Sequence, residues 1–206
     1  MLRLYFADVS ALDPDSFSGI LTDYRREKLS RQRNAQSRRQ SLGAELLLRC
    51  ALADCAPEQP WPPEIRLGEY GKPEWNVEGL YFNLSHSGEL AACVIADHPV
   101  GLDVQETCVY REALVKRFFT PEERAFLADS PERDQDFGRI WAMKESYGKA
   151  LGKGLTLPLS SFSVVGEGRE KPDAAFWYCR IQGYHFALCV PGANAAAPEI
   201  IEKKLP

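Results

Sequence analysis

The sequence has no apolar run long enough to cross a membrane. A membrane-spanning helix needs about 20 mostly apolar residues, and every apolar stretch in these 206 residues is shorter. The N-terminal stretch MLRLYFADVSALD soon meets acidic residues, so it does not match a secretory signal. We therefore expect a cytoplasmic protein without a membrane partner, built as one large domain or two small ones.

Paired cysteines at metal or redox spacing are also missing. The chain has six cysteines, none of them in a C-x-x-C pair, and its three histidines are not at zinc-ligand spacing relative to them. Free cysteines without such a pattern mostly pack as small apolar side chains. We expect reduced, buried thiols, and the sequence gives no support for a catalytic cysteine.

The chain has no overall excess of positive charge, since its formal net charge is −4. Residues 25–39 depart from this balance, with seven Lys or Arg and a single acid, Glu27. Such a run is either a solvated helix face or a site for phosphates or nucleic acid. It contains no aromatic side chain on which a base could stack, so we do not expect nucleic-acid binding.

The order of strand and helix patterns predicts an α+β protein. Strand patterns occur at residues 2–8, 65–75, 80–88, 89–97, 98–105, 161–165, 174–181 and 184–190. Helical patterns indicate two helices within 22–54, two within 110–129, and a long one from Asp134 to about Ala150. Each half holds helices followed by strands, although no repeat is legible. We therefore expect two α+β lobes with Asp103 near their junction.

An aspartate lies in the middle of one predicted strand, VGLDVQE, residues 100–106. A lone carboxylate among apolar residues is costly to desolvate unless a cation meets it. Side chains alternate along a strand, so Gln105 shares the face of Asp103 while Glu106 points the other way. The sequence therefore predicts a cationic partner for Asp103.

A candidate partner lies on the long predicted helix. Trp141, Glu145 and Lys149 are spaced four residues apart and so share one helix face. They could form a surface salt bridge beside an aromatic ring. Alternatively, Asp103, Gln105 and Glu145 could surround a hard cation, with Lys149 facing an anion. Mg²⁺ typically takes one or two carboxylates together with substrate phosphates and water, and the residues alone leave both interpretations open.

Five motifs, in order, resemble those of the Sfp-type 4′-phosphopantetheinyl transferases. They are YGKP (70–73), FNLSHS (82–87), VGLDVQ (100–105), RFFTPEE (117–123) and WAMKESYGKALGKGL (141–155). Each motif alone is weak, but their order and spacing over nearly the whole chain are specific. The resemblance implies two similar α/β lobes in one chain, a pseudo-dimeric fold, with an N-terminal lobe at 1–98 and a C-terminal lobe at 99–206.

The resemblance also implies a reaction. The enzyme would move the 4′-phosphopantetheine arm of coenzyme A, bound between the lobes, to a serine of an apo carrier protein. It would use Mg²⁺ (or Mn²⁺) and release adenosine 3′,5′-bisphosphate. The partner would be a small acidic acyl, peptidyl or aryl carrier of fatty-acid, polyketide or nonribosomal peptide synthesis, and the enzyme a monomer. The alternative is a non-catalytic module that binds coenzyme A or the carrier. Gln105 stands where the family usually has an acid, and the missing charge would weaken the metal site.

The family pattern also implies roles for single residues. Metal ligands would be Asp103, Gln105 and Glu145. Contacts to coenzyme A would come from Arg25, Lys28, Arg39, Lys72, Pro73, Ser85, His86, Lys144 and Lys149, with His86 at the 3′-phosphate. Proton transfer and charge neutralisation would involve Glu145, Lys149, Glu123 and Lys144. Glu123 ranks lower as a base because it also completes a capping box with Thr120.

The segment from Tyr110 to Phe126 follows the predicted metal strand directly. We therefore expect it at the mouth of the cleft, where a carrier protein would dock. Its basic residues, Lys116 and Arg117 among them, lie between apolar ones, which suits a transient contact. We expect Phe119 to belong to the core.

Overall fold

The computed structural model describes residues 1–166, 172–192 and 196–206. The N-terminal half contains β1 (Leu2–Asp8), α1 (Asp23–Arg31), α2 (Ala35–Cys55), β2 (Ile65–Leu67), β3 (Pro73–Trp75), β4 (Tyr81–Ser87) and β5 (Leu90–Ala96). The C-terminal half contains β6 (Gly101–Glu106), α3 (Glu112–Phe118), α4 (Pro121–Asp129), α5 (Arg133–Ala150), β7 (Ala174–Ile181), β8 (Tyr184–Pro191) and β9 (Glu199–Glu202). Short 3₁₀ turns lie at Ser18–Ile20, Gly154–Thr156 and Leu159–Ser161. The described helices include none that is long and apolar enough to span a membrane.

The strands form two main sheets and a small hairpin. The first sheet has the order β4-β5-β1-β9, and the second, antiparallel sheet has the order β6-β8-β7. Strands β2 and β3 pair separately. The mixed α+β architecture expected from the sequence is therefore confirmed.

The last strand returns to the first sheet. Residues 199–202 pair in parallel with β1, at the edge away from β4. The expected C-terminal lobe, residues 99–206, therefore includes a strand that belongs to the sheet of the N-terminal half. The segment EIIE has only two apolar residues between acids, too short a pattern to be recognised as a strand from the sequence.

Side-chain caps mark the starts of α1, α2 and α4. The Thr22 hydroxyl accepts from the Arg25 N–H at the start of α1, and Asn34 Oδ1 accepts from the Ser37 N–H at the start of α2. At α4, the predicted capping box between Thr120 and Glu123 is confirmed by hydrogen bonds in both directions.

One predicted strand is wrong. Ser161 ends a 3₁₀ turn, and residues 162–165 after it are not in a strand. Their backbone groups bond to side chains instead, because the Val164 N–H donates to Glu123 Oε1 at 2.9 Å and Phe162 O accepts from Lys144. The apolar alternation of the segment nevertheless buries Phe162 and Val164 against the helices.

The two sheets share an apolar core. Leu4 and Phe6 of β1 belong to one buried cluster with Leu102 of β6 and Phe186 of β8. The rings of Phe6 and Phe186 pack edge to face, 5.6 Å apart. The other face of the first sheet packs on α2, and the helices of the C-terminal half form a further cluster in which Phe119 is fully buried, as expected. The two halves of the chain therefore share one buried apolar cluster.

A row of side-chain hydrogen bonds joins β4 to β6. The backbone N–H groups of Leu102, Val104 and Glu106 donate to Asn83 Oδ1 (2.9 Å), Ser85 Oγ (3.0 Å) and Ser87 Oγ (3.0 Å), respectively. Alternate side chains of β4 thus take the acceptor positions that a neighbouring strand's carbonyls would normally occupy. This row, called the side-chain ladder below, fixes β6 relative to the first lobe.

We expect Asn83→Ala to destabilise the protein far more than Ser87→Ala. Asn83 satisfies a buried N–H, and leaving such a group without an acceptor costs about 1–3 kcal/mol. The N–H that bonds to Ser87 is exposed, so water can replace the hydroxyl. Urea unfolding curves of the two variants measure the difference, and equal losses would contradict a ladder whose strength depends on burial.

Candidate active site between the lobes

A cavity of about 460 Å³ lies where β4 and α1 face β6 and α5. It is lined by nine of the residues predicted from the sequence: Arg25, Lys28, Pro73, Ser85, His86, Asp103, Gln105, Glu145 and Lys149. Trp141 also lines it, so the shared face of Trp141, Glu145 and Lys149 on α5 is observed. Both halves of the chain contribute to this one site.

Lys149 is the cationic partner of Asp103. Its Nζ donates to Asp103 Oδ1 at 2.6 Å and to Ser85 Oγ at 2.9 Å. The Ser85 hydroxyl in turn donates to Asp103 Oδ1 at 3.1 Å. Burial raises the pKa of Asp103, and the charge of Lys149 opposes that rise. The second carboxylate oxygen, Oδ2, is buried without a hydrogen-bond partner among the described residues.

Glu145 places a second carboxylate close to the first. Its pKa is raised by burial and, in addition, by the charge of Asp103. Gln105 lines the same cavity, and its amide nitrogen makes only a long 3.4 Å contact to Glu106 O. Two repelling carboxylates, one with an unsatisfied buried oxygen, and a nearby amide oxygen are the donor types that a hard divalent cation takes.

This donor set contains only two carboxylates. Within the described residues, no group of three or more His, Cys, Asp or Glu is arranged to hold a metal ion. The charge brought by the protein is therefore smaller than that of a three-carboxylate site.

The opposite wall of the cavity is basic. Arg25 is almost fully buried, and its Nε donates to Glu45 Oε2 at 3.1 Å. Burial, followed by the charges of Arg25 and Lys149, lowers the pKa of Lys28. Burial and these same three cations lower the pKa of His86 to about 4, so the imidazole is neutral at pH 7. Clustered cations that repel one another form a site suited to an anion such as phosphate.

Two residues expected in catalysis are not brought to the cavity. Glu123 and Lys144 are fully buried, with Lys144 Nζ 2.8 and 2.7 Å from the two carboxylate oxygens of Glu123. Adjacent helix residues point about 100° apart, so Lys144 leaves α5 in a different direction from Glu145. We therefore correct the interpretation of Glu123 as a base and of Lys144 as a ligand of coenzyme A: the pair holds α4 against α5.

Lys72 and Arg39 also lie outside the cavity lining. Lys72 Nζ donates to Val100 O at 3.2 Å and to Ala150 O at 3.3 Å, so it ties the β2–β3 hairpin to the C-terminal end of α5. Arg39 Nη2 lies 3.7 Å from Glu89 Oε2. Both residues contact groups of the protein in this structure, and their expected contacts to coenzyme A stay predictions.

Some lining residues had no assigned role. Gly71 and Asn83 lie within the YGKP and FNLSHS motifs, which were the available signals for them. Tyr24 lies just before the basic run, and nothing in the sequence marked it.

Comparison with known proteins identifies the family. A model of the 4′-phosphopantetheinyl transferase superfamily matches residues 99–195. The 4′-phosphopantetheinyl transferase Sfp of Bacillus subtilis (strain 168) is 34% identical over 210 residues, covering 94% of this chain and 90% of that protein. The chain belongs to the Sfp-type 4′-phosphopantetheinyl transferases. These enzymes transfer 4′-phosphopantetheine from coenzyme A to apo carrier proteins, so the resemblance is confirmed.

Further relatives agree with this assignment. The 4′-phosphopantetheinyl transferase gsp of Aneurinibacillus migulanus is 32% identical over 204 residues, covering 92% of this chain and 86% of that protein. Among solved structures, the holo-[acyl-carrier-protein] synthase of Thermotoga maritima overlaps 45% of this chain and 61% of that one, at 24% identity and a TM-score of 0.38. That structural likeness is too weak to define the fold of this transferase.

We expect Lys144→Met to lower the free energy of unfolding of the transferase by about 3–5 kcal/mol, because it leaves the fully buried Glu123 without its counter-charge. Lys116→Met is the matched control, since that lysine pairs with Glu112 on the surface, where a salt bridge is worth about 0–1 kcal/mol. Urea unfolding measures both. Similar losses would show that the Glu123–Lys144 pair does not hold the helices together.

Proposed function

We propose that the cavity between the lobes binds coenzyme A together with Mg²⁺ and that transfer takes place there. The observation that carries this proposal is the pairing of two like-charged carboxylates, Asp103 and Glu145, with a basic wall across one cavity. The residues that would hold the metal are Asp103, Glu145 and Gln105. When bound, Mg²⁺ would neutralise the pyrophosphate and stabilise the leaving oxygen.

The basic wall would hold the 3′-phosphate of coenzyme A. Arg25, Lys28 and the neutral His86 lie on the side of the cavity formed by the first lobe. Arg25 and Lys28 would supply charge, and His86 one N–H donor. Pro73 and Gly71 of the hairpin would border the nucleotide. This arrangement leaves the pyrophosphate facing Asp103 and Lys149.

Positioning and charge neutralisation would supply most of the catalysis. The carrier serine hydroxyl attacks the phosphate next to the pantetheine, and adenosine 3′,5′-bisphosphate leaves. Lys149 would neutralise or protonate the departing oxygen. Glu145 is the candidate base for the serine proton, because it lines the cavity and could use a carboxylate oxygen that does not hold the metal.

A second groove supports this role of Glu145. It has a volume of about 340 Å³ and is lined by Trp141 and Glu145 together with Arg117, Phe118, Gly154, Leu157, Pro158, Leu159 and Ser160. Trp141 and Glu145 line both the cavity and this apolar groove. A serine approaching along the groove would therefore meet Glu145 before the pyrophosphate.

The alternative is a non-catalytic module that binds coenzyme A or the carrier. The weak point of the metal site is Gln105, which brings no charge. Asp103, Glu145 and Lys149 are all present in one cavity, which favours turnover. Incubation with coenzyme A, Mg²⁺ and an apo carrier protein decides between the two, since only an enzyme adds the phosphopantetheine mass to the carrier.

We expect Asp103→Asn and Glu145→Gln each to lower kcat by about 100-fold or more, as removal of a charge-stabilising group does in other enzymes. Glu106→Gln is the control, because this neighbouring carboxylate does not line the cavity. Transfer is followed by the mass of the carrier at saturating Mg²⁺, and folding by circular dichroism. Near-normal turnover in either of the first two variants would refute the metal assignment.

The apolar groove and α3 also suit an acidic carrier protein. Lys116 is exposed and pairs with Glu112 of its own helix, while Arg117 lines the groove. Charge at the rim of an interface mainly speeds association. A small acidic carrier would therefore meet basic side chains around an apolar centre.

We expect the double reversal Lys116→Glu/Arg117→Glu to raise the KM for an acidic carrier at low salt and to leave the KM for coenzyme A unchanged. The control is Arg66→Glu/Lys204→Glu, which changes the net charge equally at two exposed positions in other parts of the chain. Steady-state kinetics measure both constants. An unchanged carrier KM in the first variant would put the docking surface elsewhere.

A further inference from the structure

In the absence of substrate, the ammonium of Lys149 is engaged by groups of the protein. The ammonium donates to Asp103 Oδ1 and Ser85 Oγ at 2.6 and 2.9 Å. Ser85 Oγ also accepts from the Val104 N–H and donates its proton to Asp103 Oδ1. A hydroxyl offers one proton and two lone pairs, so these three bonds use the whole capacity of Ser85. Lysine, serine and aspartate form one closed cluster.

This cluster competes with the metal. The carboxylate proposed to bind Mg²⁺ already holds a cation on Oδ1, and only Oδ2 is left without a partner among the described atoms. An ammonium and a divalent cation on one carboxylate repel each other strongly where water is largely excluded. A metal ion entering the coenzyme-free cavity must therefore displace Lys149 or bind against its charge.

Binding of coenzyme A would draw the ammonium of Lys149 away from Asp103. The side chain of Lys149 is 28% exposed and that of Asp103 only 9%, so the lysine is the partner that borders the open cavity. A pyrophosphate there would offer the ammonium a new anion. Asp103 Oδ1 would then be released, and Ser85 would have a lone pair free.

We propose that Lys149 is a built-in counter-cation that occupies Asp103 until coenzyme A draws it away, so that coenzyme A and the divalent cation bind cooperatively. This inference rests on the proposed metal role of Asp103. It gives Lys149 a second function besides neutralising the leaving group. The same lysine makes metal loading depend on the substrate.

The test is a Mn²⁺ titration followed by the electron paramagnetic resonance signal of the free ion. It is done at pH 8 and without carrier protein, so that no transfer occurs. Wild-type protein should bind Mn²⁺ at least tenfold more tightly when coenzyme A is present. Lys149→Met should bind Mn²⁺ at least tenfold more tightly than wild type in the absence of coenzyme A, and coenzyme A should add less.

Three further variants make the outcome decisive. Lys149→Gln removes the charge but keeps a polar partner for Asp103. It should bind Mn²⁺ as tightly as Lys149→Met does, and it replaces that variant in the test if the methionine variant does not fold. Lys153→Met removes an exposed lysine four residues after Lys149 in the chain and should leave Mn²⁺ binding unchanged. Asp103→Asn should abolish the site.

The possible results separate the two proposals. If Asp103→Asn weakens Mn²⁺ binding but neither Lys149 variant strengthens it, the counter-cation role is refuted and the metal site stands. If Asp103→Asn binds Mn²⁺ like wild type, the metal assignment falls, and this inference falls with it. An equal gain in Lys153→Met would reduce the effect to net charge alone and would also refute the proposal.

Discussion

The side-chain ladder between β4 and β6 is the constraint on which the site depends. Strand β6 has a hydrogen-bonded backbone partner, β8, on one side only, and on its other side the N–H groups of Leu102 and Val104 are buried. Buried donors must be satisfied. Because Asn83 and Ser85 satisfy them, a shift of β6 by one residue would leave donors unpaired and would turn Asp103 away from Lys149.

The ladder also explains why a carboxylate can lie inside an apolar strand. Ser85 serves two structures at once, since its oxygen accepts from the backbone of β6 while its proton goes to Asp103. Lys149 supplies the charge from α5. Gly101 permits the close approach, because a Cβ there would lie only 2.0 Å from Ser146 O of that helix. The close contact of helix and strand is what lets Lys149 reach Asp103.

Local patterns predicted much of the fold, and nine of the thirteen site residues expected from the sequence and the family resemblance line one cavity. The capping box of α4 and the shared face of Trp141, Glu145 and Lys149 follow from spacing within one helix, so the sequence carries them. The burial of Glu123 and Lys144 does not, because it depends on Val164 and Phe162 arriving from a distant segment. The contacts of Lys72 within the protein were not predicted for the same reason, since its carbonyl partners lie 28 and 78 residues away.

The two lobes contribute different charged groups to the cavity. The first lobe brings the cations of α1 and the hydroxyl of Ser85, while the second brings both carboxylates and Lys149. Arg25 is paired with Glu45, so Lys28 leaves the first lobe with an excess positive charge at the cavity. Asp103 is paired with Lys149, so Glu145 leaves the second lobe with an excess negative charge. Together they are nearly balanced, with Lys149 as the charge that can change partners. The charge of Lys149 acts on both His86 of the basic wall and Glu145 of the carboxylate side. We therefore expect a bound anion to change the contacts of Lys149 before those of the other charged residues.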